Sequence, residues 1–197
     1  MVKWLERLAK LALLPVLVWF AGLAAFALVG IDGLFAGANP VFVIARVTAY
    51  VTVVVVAAVT TAFVAAFGLA CGAMLTWLGE SLDPRQIVTA MSRSFWCFAA
   101  YVWLGVAWLI LDPPVALTVL DMSEPDALEA RVGETTAFAW MGRLRYLALI
   151  GFLATAFWLL ARRTRPLHAL LAVSFGAAAL AAALAGLGLL SGPSFGP

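Results

Sequence analysis

Charged side chains are scarce in this chain of 197 residues. Asp, Glu, Lys and Arg together make up 11% of it, against about 25% in a typical soluble domain. Hydrophobic residues make up 65%, and the mean hydropathy is +1.09. So few charges cannot cover so much apolar surface in water. The composition therefore excludes a soluble globular domain and indicates that lipid is the solvent for most of the chain.

Residue types that perform catalysis are also rare. The chain has one histidine and two cysteines, and its sequence contains no HExxH, GxSxG, CxxC or Walker motif. No acidic residue lies deep in an apolar run, so the chain has few titratable side chains that could perform general acid–base chemistry or form a proton relay. We therefore expect no enzyme activity, no catalytic residue and no cofactor apart from lipid contacts. The net charge of +2 is too small and too dispersed to indicate a nucleic-acid partner.

Long apolar runs are abundant. Roughly 20 apolar residues cross a bilayer core as a helix, and we predict an all-α, polytopic membrane helix bundle that forms a single transmembrane domain over residues 1–197. The first run follows the basic segment MVKWLERLAK, which is also typical of a signal peptide, but it is longer than a signal peptide needs and predicts an uncleaved helix. The five predicted spans are residues 11–31, 41–78, 95–111, 137–161 and 167–190, with an acidic outer loop over residues 112–136.

The second span is longer than a bilayer requires. A helix over residues 41–79 would be about 58 Å long. It either projects past the membrane as one helix or breaks near Gly68 and Gly72. Because no turn signal would let it cross twice, the sequence favours one long helix.

Capping residues mark the next connections. Asp83 and Pro84 are typical of a helix start, and residues 84–94 then form an amphipathic lead-in to the third span. Pro113 and Pro114 end that span, since proline cannot continue the hydrogen-bond ladder. Inside the acidic loop, residues 123–134 predict a short surface helix.

Basic residues concentrate in the stretch LLARRTRPLHALL (residues 159–171), between the last two spans. Cytoplasmic loops carry an excess of Lys and Arg, and the abundance of Ala, Leu and Arg is typical of a GC-rich bacterial genome. We therefore predict a bacterial inner-membrane protein with a cytoplasmic N-terminus and an external C-terminus. Arg162, Arg163 and Arg165 are interpreted as topology determinants that also contact anionic lipid headgroups. The predicted inner side holds Lys3, Arg7, Lys10, Arg85, Arg93 and these three arginines, and the outer side holds Arg46, Arg131, Arg143 and Arg145.

Tryptophan positions agree with this topology. Indole rings favour the headgroup level because one of their edges is polar. Trp4, Trp77, Trp96 and Trp158 fall near the predicted inner boundary, and Trp108 and Trp140 fall near the outer one.

A mildly polar stripe follows one side of the second span, where Arg46, Tyr50 and Thr61 recur at helical spacing. Arg46 either snorkels to the outer interface or pairs with an acid at the same face, Asp32 or Asp112. We interpret the stripe as a packing seam, with the outer lining of a solute path as the alternative.

Small residues form two patterns that favour close helix approach in lipid. We interpret both as packing sites within the bundle, with docking onto a partner helix as the alternative. Gly68 and Gly72 make a GxxxG pattern on the second span, and Ser174, Ala178, Ala182 and Gly186 recur every four residues on the fifth.

Five potential soft metal ligands fall in the inner half of the predicted bundle. Thiolate and thioether sulfur would suit Cu(I). Their spacing matches no metal motif, and buried Cys and Met are ordinary core residues, so we assign no metal site. These residues are Cys71, Met74, Met91, Cys97 and His168.

The connection GESLDPRQIVTAMSRSFWCFAAY (residues 79–101) combines a Gly-led polar segment, an Arg-Gln pair and an aromatic helix entry. Together with LDPPVAL, the short acidic loop, the Trp140 region and RTRPLHALLAV, it resembles bacterial members of the Yip1-like family of five-helix membrane proteins, over about residues 75–191. The chain departs from that family because it has no proline between Ala99 and Trp103. Many family members also have a longer, polar N-terminal segment, which this sequence lacks. The resemblance implies a membrane scaffold or trafficking-type adaptor, and it carries no agreed activity.

The sequence favours a non-catalytic integral membrane subunit or scaffold of a larger inner-membrane complex, with the bilayer and other membrane subunits as partners. The reason is that the sequence contains small-residue packing motifs but no motif that is typical of catalysis. A membrane component of a small-solute transporter or channel is the alternative, although a nearly uncharged midplane disfavours ion coupling. An intramembrane metal or redox protein is the second alternative.

Overall fold

The computed structural model describes residues 13–37, 39–118 and 136–186. Within these ranges the chain forms helices and short connections, and no strand. The predicted acidic loop over residues 112–136, with its surface helix, lies for the most part outside the described residues. The start of the first predicted span and the last residues of the fifth also lie outside them.

Five long helices build the described part of the chain. Each contains an apolar stretch long enough to cross a membrane, which confirms the predicted all-α membrane helix bundle with five spans. The helices are α1 (Leu14–Leu34), α2 (Pro40–Trp77), α3 (Pro84–Leu111), α4 (Thr136–Ala161) and α5 (Pro166–Gly186).

The helix α2 is continuous over 38 residues, a length of about 57 Å. Its start is capped by Asn39, whose side chain accepts a hydrogen bond from the backbone N–H of Val41 at 3.0 Å. It passes Gly68 and Gly72 without a break. After it ends, Gly79 adopts a φ of +80°, a left-handed conformation that glycine reaches without a steric penalty. The chain turns there towards α3.

The helix α3 joins the predicted lead-in and the predicted third span in one element of 28 residues. The Asp83 side chain accepts from the backbone N–H of Arg85 at 2.9 Å, and Pro84 occupies the first turn, where a missing N–H costs nothing. The helix stops at Asp112, before two prolines. The connection then returns to α1, because the backbone N–H of Leu117 donates to the carbonyl of Leu34 at 2.8 Å.

The central helix is α3, which packs against α1, α2 and α4, while α5 packs against α2 and α4. The α1–α3 contact depends on glycine. A Cβ at Gly22 would lie 3.0 Å from Nε1 of Trp103, and that indole nitrogen donates to the Val18 carbonyl at 3.0 Å. Gly30 lies after Gly22 in α1 and packs against Leu109, which lies after Trp103 in α3. Because the contacts advance in the same chain direction along both helices, the two helices run parallel.

Aromatic side chains fill the space between four of the helices. Phe98 and Phe152 stack with their ring centroids 5.1 Å apart, and Trp19 of α1 and Phe67 of α2 approach Phe95 and Phe152 at 5.2 Å and 5.6 Å. Aromatic pairs at such distances contribute about 0.5–1.5 kcal/mol beyond the area that they bury. At this level, packed side chains therefore fill the interior of the bundle.

The connections between the helices lie at the two ends of the bundle. We call the end with the α1–α2 connection and the C-terminus of α3 the Asp32 end, and the end with the α2–α3 and α4–α5 connections the Glu80 end. In the predicted topology the Asp32 end faces outward and the Glu80 end faces the cytoplasm.

Candidate functional site

A polar cluster at the Asp32 end joins α1 to α2. Arg46 Nε lies 3.4 Å from Oδ1 of Asp32, and the Tyr50 hydroxyl donates to the same oxygen at 2.9 Å. Arg46 also donates through Nη2 to the carbonyls of Phe35 at 2.5 Å and Gly37 at 3.5 Å. Of the two acids considered for Arg46, the structure therefore selects Asp32. The cluster fastens the α1–α2 connection to the first turns of α2.

The third residue of the polar stripe makes a different contact. The Thr61 hydroxyl donates to the carbonyl of Ala57 at 2.8 Å, within α2 itself. Ala57 is buried and separates Thr61 from the cluster around Asp32. Arg46, Tyr50 and Thr61 therefore do not converge on one polar surface.

The GxxxG pattern of α2 lies against α3. Gly68 is buried, and a Cβ there would lie 3.0 Å from Cγ of Met91. A Cβ at Gly72 would lie 2.9 Å from Cδ1 of Ile87. The two glycines let the methionine and the isoleucine of α3 approach the α2 backbone, which is how small residues favour helix association in lipid.

The small-residue stripe of α5 points the other way. Ser174, Ala178 and Ala182 are exposed, so the interpretation of this stripe as packing within the bundle is wrong for these three residues. Gly186 is the last residue of the helix. The physical reason is that α5 presents a second small-residue face to its neighbours.

That second face contains Gly176, which the sequence interpretation missed. A Cβ at Gly176 would lie 2.9 Å from Cys71 Sγ and 2.9 Å from the ring of Phe67. Ala169 and Ala172 on the same face are fully buried. The spacing of these alanines and the glycine, at three and four residues, is also a small-residue pattern and was visible in the sequence.

A polar contact at the Glu80 end joins two connections. Glu80 Oε1 lies 2.7 Å from Nδ1 of His168 and accepts from the backbone N–H of Arg165 at 3.3 Å. The hydrogen bond from His168, and then the one from the Arg165 N–H, hold the pKa of Glu80 below its ordinary value. The only histidine is thus engaged with a carboxylate at the start of α5.

The potential soft ligands lie in separate interfaces. Cys71 is fully buried, with Sγ 3.4 Å from the carbonyl of Ala172 on α5. Cys97 of α3 faces Thr155 of α4 at 3.6 Å, Met91 packs on Gly68, and Met74 is partly buried beside the core. Both cysteines are free thiols. Over residues 13–37, 39–118 and 136–186, no three His, Cys, Asp or Glu side chains are grouped as a metal would need.

The three arginines after α4 have different surroundings. The Arg162 guanidinium lies over the Trp158 ring at 3.5 Å from its centroid, a cation–π contact. Arg163 lines a shallow groove between α3 and α4, and the backbone of Arg165 contacts Glu80. The groove also contains Arg93, which the sequence interpretation had treated only as a contribution to topology.

The chain matches no protein-family model, no curated protein sequence and no solved structure. The resemblance to the Yip1-like family therefore stays a prediction.

Proposed function

We propose that the protein is a non-catalytic integral membrane subunit that acts as a scaffold within a larger complex of a bacterial inner membrane. The observation that carries the proposal is the closed interior of the bundle. Its aromatic layer and its glycine contacts use the inner surfaces of the helices to hold the chain itself together. The outer faces of the helices and the two ends of the bundle then remain to contact other molecules.

The chemistry of the interior supports this role. The most deeply buried large side chains are apolar, with Leu75, Leu109 and Leu160 almost completely inaccessible. Among the described residues, the buried polar side chains are Ser92 and Ser94, and neither carries a charge. A transporter of polar solutes needs polar groups that face a cavity at the midplane. The described interior is therefore better suited to a structural role than to transport.

The exposed stripe of α5 supports a partner within the membrane. Ser174, Ala178 and Ala182 lie on an exposed face of α5. Lipid chains gain nothing specific from small side chains, whereas a neighbouring helix can approach such a face closely and gain packing contacts and hydrogen bonds to serine. A membrane subunit of a complex would use this face of α5 as its contact.

The charge distribution supports the proposed orientation. Five arginines of the described residues lie at the Glu80 end, and three lie at the Asp32 end. Because cytoplasmic segments are enriched in Lys and Arg, we place the Glu80 end in the cytoplasm. The arginines at the Glu80 end are Arg85, Arg93, Arg162, Arg163 and Arg165, and those at the Asp32 end are Arg46, Arg143 and Arg145.

Purification from the native membrane in a mild detergent tests the proposal. The variant Ala178→Leu places a large side chain on the exposed face of α5, and Ala154→Leu is its matched control, because Ala154 is also exposed but lies on α4. We expect wild type and Ala154→Leu to retain the same stoichiometric partner, and Ala178→Leu to lose it while it keeps its helical circular dichroism. A wild-type chain that purifies alone as a stable monomer would overturn the scaffold role.

A further inference from the structure

A shallow groove at the Glu80 end brings together two arginines that lie far apart in sequence. One wall is the first three turns of α3, and the other is the end of α4 with the residues that follow it. Four of its lining side chains are polar and two are apolar. The lining residues are Gln86, Thr89, Ala90, Arg93, Leu159 and Arg163.

Helix geometry explains why the α3 residues share this wall. Gln86, Thr89 and Arg93 are separated by three and four positions, which places them on one face of a helix. Arg163 comes from the connection immediately after α4. Its backbone N–H donates to the Leu160 carbonyl at 2.9 Å, which extends the last turn of α4 and fixes the start of its side chain near the groove.

The groove contains hydrogen-bond donors with a net positive charge. Two guanidinium groups and the Gln86 amide supply the donors. The Thr89 hydroxyl already donates to the Arg85 carbonyl at 2.7 Å, so its oxygen is left as an acceptor. Guanidinium groups match phosphate oxygens in two-point contacts, which makes arginine the preferred side chain for this anion.

No carboxylate neutralises the two arginines in the described part of the chain. The acids described at this end are Glu80 and Asp83. Glu80 contacts His168 and the Arg165 backbone, and Asp83 caps α3. Neither lines the groove. The positive charge of Arg93 and Arg163 is therefore available to an external anion.

Exposed tryptophans mark the depth of the groove in the bilayer. Trp96 lies one turn beyond Arg93 and is 47% exposed, and Trp158 lies about one turn before Arg163 and is 50% exposed. Indole rings favour the headgroup level. The groove thus lies where the helices leave the hydrocarbon, and basic pockets between helices at this depth bind anionic lipid headgroups.

We propose that this groove is a binding site for a phosphate group, supplied by the headgroup of an anionic phospholipid such as phosphatidylglycerol. Arg93 and Arg163 contact the phosphate oxygens, and the Gln86 amide donates a further hydrogen bond. The apolar side chains of Ala90 and Leu159 contact the start of the acyl chains. The site does not depend on the scaffold role, since a protein without partners would retain it.

Native mass spectrometry of the full chain in a nonionic detergent tests the site, with dioctanoyl phosphatidylglycerol as the probe and dioctanoyl phosphatidylcholine as the zwitterionic comparison. Since one charge-assisted hydrogen bond contributes about a tenfold change in affinity, we expect Arg93→Gln and Arg163→Gln each to weaken phosphatidylglycerol binding by about tenfold. Arg85→Gln is the matched control, because Arg85 is an exposed arginine at the same end that does not line the groove. We expect it to change the affinity by less than about twofold.

Three results would overturn the proposal. An equal loss in Arg85→Gln would indicate attraction to surface charge in general. Equal binding of phosphatidylcholine and phosphatidylglycerol would exclude selection of an anionic headgroup. Saturable binding of inorganic phosphate with the same dependence on Arg93 and Arg163, but without phosphatidylglycerol binding, would identify a site for free phosphate. Helical circular dichroism and an unchanged elution volume verify that each variant is folded.

Discussion

Glu80 Oε1 lies 2.7 Å from Nδ1 of His168, although 88 residues separate the two in sequence. Glu80 belongs to the α2–α3 connection, and His168 lies in the first turn of α5. The same carboxylate oxygen accepts from the backbone N–H of Arg165, one of the N–H groups that helix geometry leaves without a partner at a helix start. One side chain thus ties two connections together and caps α5.

This contact predicts that stability falls in acid. The pKa of Glu80 is held below its ordinary value, chiefly by the His168 hydrogen bond, so its contribution is present above about pH 4.5 and is lost as the pH falls through the lowered pKa. We expect Glu80→Gln to lower the thermal unfolding temperature at about pH 7. The difference from wild type should shrink at acidic pH, below the lowered pKa of Glu80, where both side chains are neutral.

Asp112→Asn is the control for this pH dependence. Asp112 is an exposed carboxylate at the Asp32 end and makes no side-chain contact of this kind in the described part of the chain. Its unfolding temperature, followed by circular dichroism, should track wild type at both pH values. A Glu80→Gln difference that stays the same at both pH values would contradict an ionised Glu80 as the origin of the effect.

The glycine contacts predict opposite effects for the same substitution at two helical positions. A Cβ at Gly176 would lie 2.9 Å from Cys71 and Phe67, whereas a Cβ at Gly142 would meet nothing within 4 Å. We expect Gly176→Ala to lower the free energy of unfolding by about 1–3 kcal/mol, as overpacking does. Gly142→Ala should raise it by up to about 1 kcal/mol, the helix-propensity gain of alanine.

Unfolding of both variants by SDS from mixed micelles, followed by circular dichroism, measures this difference. Gly72→Ala should fall between them, because the atom it would approach is the flexible end of Ile87. Equal effects of the alanine at Gly176 and at Gly142 would mean that α5 does not pack on α2 through Gly176.

The cluster at the Asp32 end predicts energetic coupling across α1 and α2. A double-mutant cycle of Asp32→Ala and Tyr50→Phe should give a coupling of about 0.5–1 kcal/mol, the range for a hydrogen bond to a partly exposed carboxylate. Thr61→Val should show no coupling to Asp32→Ala, since the Thr61 hydroxyl donates within α2. Coupling of Thr61 equal to that of Tyr50 would instead favour one continuous polar stripe.

The orientation predicts which connection is reached from outside the cell. In a chain whose Cys71 and Cys97 are replaced by alanine, Ala36→Cys lies in the α1–α2 connection and Ser81→Cys in the α2–α3 connection, and both positions are exposed. A membrane-impermeant maleimide added to intact spheroplasts should label Ala36→Cys and should label Ser81→Cys only after lysis. The reverse pattern would place the N-terminus outside and contradict the positive-inside assignment.

The helices themselves could be predicted from the sequence because their physical cause is local. Long apolar runs predict the spans, and the Asp83–Pro84 pair marks a helix start that the structure places at the same residues. The continuity of α2 also followed from the lack of a turn signal. Asp32 was one of two acids at the correct face for Arg46.

The packing faces could not be predicted because the helices are apolar on almost every side. A bundle in water marks its core with an apolar stripe, but lipid allows apolar residues on both faces. The fifth helix therefore has two small-residue faces, and no sequence pattern distinguishes the face of Gly176 from the face of Ala178. The contact between Glu80 and His168 joins two loops whose approach depends on that packing.

The mass of the particle released from the native membrane tests the scaffold role. The chain alone has a mass of 20.9 kDa, and native mass spectrometry of detergent-free membrane vesicles measures the mass of the assembly that contains it. We expect one dominant particle that is heavier than the chain by the mass of at least one other membrane subunit at fixed stoichiometry. A dominant species of the chain alone, with or without bound lipid, would contradict the proposed function.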